Sequence, residues 1–240
     1  MGLGPIQATS LVGRSRKEAF LTIGGIWLAF TFALCLALPQ PPNPRHVLLG
    51  TLAGLIVVGI GYWAALRCRP LLPRTTPQRA NLALLSLLAG ITLGTTLLGV
   101  LLALAKIAPF LHARFAGRLA EPFWRPWALA LESSILEEVA FRLFVMSIVA
   151  CIVARCIKRP GVSFVMALVF SSLLFGVAHL PAWLSMVHSS VTLIGSVLLL
   201  NGLGGSFFGW IFWRWGLGYA ILCHLVSDLV IQVFAPRLLG

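Results

Sequence analysis

Residues 127–154 read WALALESSILEEVAFRLFVMSIVACIVA, an apolar run that carries Glu137 and Glu138 side by side and Arg142 four residues beyond Glu138. As a helix rising about 1.5 Å per residue, such a run is long enough to cross a hydrocarbon core about 30 Å thick. An ionisable side chain at that depth is costly, and one retained there usually serves a functional site. The chain has six acidic residues in all, and another of them, Asp228, stands in the last hydrophobic segment four residues after His224. The quoted stretch therefore reads both as a membrane-spanning helix and as part of a polar site.

Composition points the same way. With 59% hydrophobic and 10% charged residues among 240, and a mean hydropathy of +0.98, the apolar side chains outnumber what one soluble core can hold, which makes the chain an all-α polytopic membrane protein. The net charge of +12 would suggest nucleic acid in a soluble domain. Here the basic residues lie mostly in short connections between apolar runs, where they set orientation and meet anionic lipid, so no nucleic-acid partner is expected. Five cysteines, Cys35, Cys68, Cys151, Cys156 and Cys223, sit at irregular spacings without a CxxC pair. They read as free, packed thiols and not as a disulfide or zinc frame.

Hydropathy predicts spans over 20–38, 47–66, 81–105, 127–154, 162–180, 188–213 and 217–234, with a Pro- and Arg-bearing connection over 106–126. The first run is too long for the apolar region of a signal peptide and is expected to stay as a span. Asn201 to Gly205 would serve as a break between two helices, but each half alone is too short to cross, so 188–213 counts as one crossing and the total as seven; eight is the alternative. The organisation expected is a three-span region over 1–126 and a motif-bearing core over 127–240. With the amino terminus inside, eleven cations fall on the inner side and six on the outer, which favours a cytoplasmic amino terminus. The compact chain suggests a prokaryotic inner membrane. Trp210, Phe212, Trp213 and Trp215 read as an interfacial aromatic belt.

Helical spacing organises the polar residues. Residues four apart share a face, so Glu138 is expected to pair with Arg142 while Glu137 points about 100° away. This leaves Glu137 as the free carboxylate and the proton acceptor. The fifth span ends in FGVAH, with Phe175 and His179 on one face, and the last carries HLVSD, with His224 and Asp228 in the same relation. At about 1.5 Å per residue, Glu137, His179, His224 and Asp228 reach similar depths, and a water-accessible cavity near mid-bilayer is expected to hold them.

These three elements, EE-x3-R (Glu137, Glu138, Arg142), F-x3-H (Phe175, His179) and H-x3-D (His224, Asp228), in this order on late spans, resemble the CPBP family of CaaX-type and bacteriocin-processing intramembrane glutamic endopeptidases, also called the Abi family. The resemblance covers residues 127–234. It implies hydrolysis of a peptide bond in a membrane-associated protein or peptide by glutamate-activated water, without cofactor or metal. Glu137 would then be the general base, His179 would hold or polarise the water, His224 and Asp228 would stand where the oxyanion is stabilised, and Glu138 with Arg142 would support them. The prenyl-protein-processing members carry Asn where this chain has Asp228. Because an ionised Asp would repel an oxyanion, Asp228 is expected to orient His224, which then donates.

Two other classes compete. Histidines and carboxylates in this number also suit a divalent metal, as in a metalloprotease or transporter, although HExxH is absent and Arg142 beside the acids disfavours a cation. A non-enzymatic membrane scaffold or immunity protein is the other. No GxGD, no GxSG and no Cys–His pair on one helical face is present, which removes the aspartyl, serine and cysteine alternatives.

Overall fold

A computed structural model describes residue 25 and residues 43–67, 79–185 and 190–240. Apart from residue 25, the expected span at 20–38 lies outside the described residues, as does His188. Among those described, six helices are long and apolar enough to cross a membrane. They are α1 (Pro44–Arg67), α2 (Arg79–Ala105), α4 (Arg125–Cys156), α5 (Pro160–Leu184), α6 (Val191–Trp215) and α7 (Leu217–Leu239), with a short α3 (Phe110–Ala116) and a 3-10 turn (Gly117–Ala120) between α2 and α4. No strand occurs among the described residues. In lipid, a helix is the one single-chain element that satisfies every backbone N–H and C=O within itself, and these six spans use it throughout. Polar residues on lipid-facing positions follow the same rule: the Thr92, Thr95 and Thr96 hydroxyls donate to carbonyls one turn earlier in α2.

The 191–215 region is one unbroken helix. Ser190 caps it by accepting from the Leu193 N–H at 3.0 Å, and Asn201 donates to Val197 O within the helix. The glycines at 204 and 205 are packing positions and not a break. A Cβ at Gly205 would stand 3.2 Å from Phe175 and 3.3 Å from the Ser172 backbone on α5. α6 passes into α7 through Gly216 alone, at φ 101°, a left-handed conformation that only glycine adopts without strain. The aromatic belt is partly corrected at this end. Phe212 is buried in the core and Trp213 stacks on Phe164 with ring centroids 4.1 Å apart, because α5 covers that face of α6; Trp210 stays exposed.

Close helix contact is made where side chains are smallest, as expected when lipid gives little hydrophobic drive to association. Gly90 and Gly94, one turn apart on α2, seat α7. A Cβ on Gly90 would fall 2.6 Å from Cys223 O, and one on Gly94 would fall 2.9 Å from Ser227 O. Ser227 locks this seam by donating to Gly90 O at 3.0 Å. α3 tucks Leu111 and Phe115 between the ends of α2 and α7, against Leu98, Leu101, Ala235 and Leu239. α1 reaches α4 through Val58 and Ala65 against Val139 and Leu143.

Inside α4 the backbone changes type. Arg125–Glu137 is α-helical, Glu138–Met146 is π-helical and Ser147–Cys156 is α-helical again. A π segment leaves carbonyls in need of partners, and two hydroxyls meet them. Ser147 donates to Arg142 O at 3.2 Å, and Ser171 of α5 donates to Phe141 O at 3.1 Å. π segments recur at functional sites, and this one begins at the second glutamate. Among the cysteines, Cys156 and Cys223 are free, whereas Cys151 is disulfide-bonded, against the expectation of free thiols throughout. Irregular spacing along the chain does not report which sulfurs packing brings together.

Candidate active site

The six residues singled out by spacing come together where α4, α5 and α7 meet. Glu138 and Arg142 are fully buried, His224 is 4% exposed, and Glu137, Asp228 and His179 are 21%, 22% and 27% exposed. Four residues apart, Glu138 Oε2 and Arg142 Nε lie at 3.3 Å, the expected pair. Arg142 also donates through Nη2 to Gly205 O at 3.1 Å and lies over the Phe175 ring, 4.6 Å from its centroid. A guanidinium in this position is held by charge, by a helix carbonyl and by a π face, which is how a buried arginine offsets its desolvation.

Glu137 and Glu138 do not part company as an ideal α-helix would have them do. The His224 ring stands between the two carboxylates, with Glu138 Oε1 3.0 Å from its Nδ1 and Glu137 Oε2 3.6 Å from its Nε2. Asp228 Oδ1 is 3.5 Å from the same Nε2. Across the site, His179 Nε2 faces Glu137 Oε1 at 3.5 Å. Hydrogen-bond partners assign the ring protons. A carboxylate only accepts, so His224 donates from Nδ1 to Glu138. A carbonyl only accepts as well, so His179 donates from Nδ1 to Phe175 O at 2.8 Å. Both rings thus present Nε2 to Glu137. Phe208 stacks on His224 at 4.1 Å and 16°, fixing its plane.

A cavity of about 450 Å³ has Glu137, His179, His224 and Asp228 in its wall. It extends toward the end of the bundle where α2, α5 and α7 finish and α4 begins, under Phe115 and Arg118 of the α3 connection. The rest of the wall is largely apolar and includes Leu97, Leu101, Leu129, Leu136, Trp183, Leu200 and Ile231. Glu138 and Arg142 lie behind it. Sequence reasoning missed five polar wall residues, Glu132, Ser133, Asn201, Ser227 and Gln232. For the first two a signal existed: Ser133 is one turn before Glu137, and Glu132 is a further acid in the quoted stretch. Ser133 Oγ donates to Asp228 Oδ2 at 2.6 Å. Among the described residues, no group of three or more His, Cys, Asp or Glu side chains is arranged to hold a metal ion.

The fold and the site together define an integral, multi-pass helical membrane protein with a carboxylate and imidazole cluster at the inner end of a cavity. Residues 119–230 match the family model of type II CAAX prenyl endopeptidases, Rce1-like. The CPBP resemblance read from the three motifs is borne out over that stretch, which contains all six residues, and the match supports an intramembrane peptidase of CAAX-protease type. No curated protein and no solved structure matches the chain.

Proposed function

We propose that this chain is an intramembrane endopeptidase in which Glu137 activates water to hydrolyse a peptide bond of a membrane-associated protein or peptide. The observation that carries the reading is Glu137 itself, a carboxylate in the cavity wall flanked by two imidazole Nε2 atoms at 3.5 and 3.6 Å. Those separations exceed the usual direct hydrogen-bond length, so a water on the cavity side of these atoms can bridge them.

A water held by Glu137 Oε1 and the Nε2 lone pair of His179 gives up a proton to Glu137 as its oxygen attacks the scissile carbonyl carbon. The carbonyl oxygen gains the electron pair and accepts from His224. That ring is suited to donate at both nitrogens, because its neighbours at both are carboxylates: Glu138 takes Nδ1–H, and Nε2–H is left for the incoming oxygen, with neither Glu137 nor Asp228 close enough to claim it. The tetrahedral intermediate collapses as the proton on Glu137 passes to the leaving nitrogen. The C–N bond breaks, giving a carboxylic acid and an amine, and the acid's remaining proton passes to the amine as carboxylate and ammonium products leave. Glu138 and Arg142 keep His224 in place from the buried side.

On this reading residues 127–240 form the catalytic core, while the region before residue 127 supplies part of the cavity wall through Leu97 and Leu101 of α2. The excess of cations on the side of the amino terminus supports a cytoplasmic amino terminus. The test is cleavage of a library of membrane-tethered peptides, prenylated and unprenylated, by wild type and Glu137→Gln, with and without a strong chelator. Cleavage that needs Glu137 and ignores the chelator is expected. Chelator-sensitive cleavage would replace the glutamate reading with a metal-dependent one, and a folded protein that cleaves nothing would favour a scaffold.

A further inference from the structure

We propose that Ser133 is a positioning residue for this reaction, an adaptable anchor that draws the group at position 228 toward α4, so that its other oxygen faces His224 Nε2 without taking its proton and stays off the oxyanion. The inference rests on the reading of Glu137 as the base.

Asp228 creates a difficulty that the motifs leave open. It is 22% exposed, next to where negative charge would develop, and a carboxylate free to rotate there would turn toward the cavity. The structure holds it from α4. Ser133 is one helical turn before Glu137 on the same face, and its hydroxyl donates to Asp228 Oδ2 at 2.6 Å, the length of a charge-assisted O–H···O bond. With Oδ2 drawn to α4, Oδ1 is left 3.5 Å from His224 Nε2. Ser133, Asp228 and His224 thereby form a chain across two helices. It meets, at His224, a second chain running through Glu138 to Arg142.

The hydroxyl has a second acceptor. Ser133 Oγ is 3.2 Å from Ala130 O in its own helix, so its single proton chooses between a carboxylate and a backbone carbonyl. If position 228 carried Asn, Ser133 would turn its proton to Ala130 O and accept from the amide Nδ2–H, and the amide oxygen would still face His224. The anchor serves either side chain. It therefore predicts that Asp228→Asn costs little in this chain and that this tolerance depends on Ser133.

The test is kcat and KM for wild type, Ser133→Ala, Ser133→Thr, Asp228→Asn and Ser133→Ala/Asp228→Asn, on a peptide that wild type cleaves and Glu137→Gln does not. Ser133→Ala is expected to lower kcat about tenfold with KM within about twofold, Ser133→Thr to restore most of it, and Asp228→Asn to cost about threefold. The double variant should fall about a hundredfold, below the product of the single effects, because an unanchored amide is free to flip. Unfolding midpoints should stay together, since a merely structural role would move them first. A Ser133→Ala kcat within twofold of wild type, or a double variant equal to the product of its parents, would overturn the proposal. Retained cleavage in Glu137→Gln would instead overturn the glutamate reading.

Discussion

The two edges of the His224 ring look onto opposite environments. On the Nδ1 side, the Glu138–Arg142 ion pair is fully buried, with Arg142 donating to Gly205 O and Phe175 over the guanidinium. On the Nε2 side, Glu137, His179 and Asp228 are each about a quarter exposed; Glu137 and Asp228 stand 3.6 and 3.5 Å from His224 Nε2, and His179 Nε2 stands 3.5 Å from Glu137, beyond the usual direct hydrogen-bond length. Two adjacent glutamates in one sequence motif are thereby placed in different physical regimes. On the sealed side, charge is neutralised within the protein, and its loss should be felt as instability. On the cavity side, charge is held incompletely, and its loss should be felt as chemistry.

The comparison is most strongly tested at Arg142. Arg142→Met leaves Glu138 buried without its cation, and breaking a buried pair by removing one partner costs about 3–5 kcal/mol. We expect a loss of that order in detergent unfolding, with more than half recovered in Glu138→Gln/Arg142→Met; full stability in Arg142→Met would erase the distinction between the two edges. The next largest effect belongs to the cavity side. His179→Ala should lower kcat about a hundredfold, as for a group that holds the reacting water, while the unfolding midpoint stays within about one degree. A smaller structural effect is expected at Gly205→Ala, where a Cβ would press on Phe175 and the Ser172 backbone at 3.2 and 3.3 Å. Overpacking of this kind costs about 1–3 kcal/mol, and here it also shifts the carbonyl that Arg142 uses. Gly202→Ala, three residues away with nothing within 4 Å of its Cβ, should be neutral or stabilising by less than about 1 kcal/mol. Equal effects at 202 and 205 would mean that the α5–α6 contact does not support Arg142.

Much of this was legible because helices repeat every 3.6 residues. Six of the seven expected spans coincide with helices, and the seventh, apart from residue 25, lies outside the described residues. The pairs 138 and 142, 175 and 179, and 224 and 228 each came out of spacing alone, since residues one turn apart share a face in any helix. What the periodicity missed depends on departures from it or on partners far away in the chain. The π segment starting at Glu138 changes where successive side chains point, and it is stabilised by Ser171, whose relevance appears only when α5 lies beside α4. Gly90 and Gly94 read as two glycines in an apolar run until α7 is found against them. Ser133 looked like a small polar residue in a span, and its meaning comes from an aspartate 95 positions later.

The central claim is that Glu137, and not its neighbour, is the base. It is tested most directly by measuring turnover and stability of Glu137→Gln and Glu138→Gln side by side on one cleavable peptide, with rates normalised to folded protein. The account predicts that Glu137→Gln loses about a thousandfold or more in kcat at unchanged stability, and that Glu138→Gln loses stability while its folded fraction still turns over. Turnover by Glu137→Gln within about tenfold of wild type, or a deeper catalytic loss in Glu138→Gln, would contradict it.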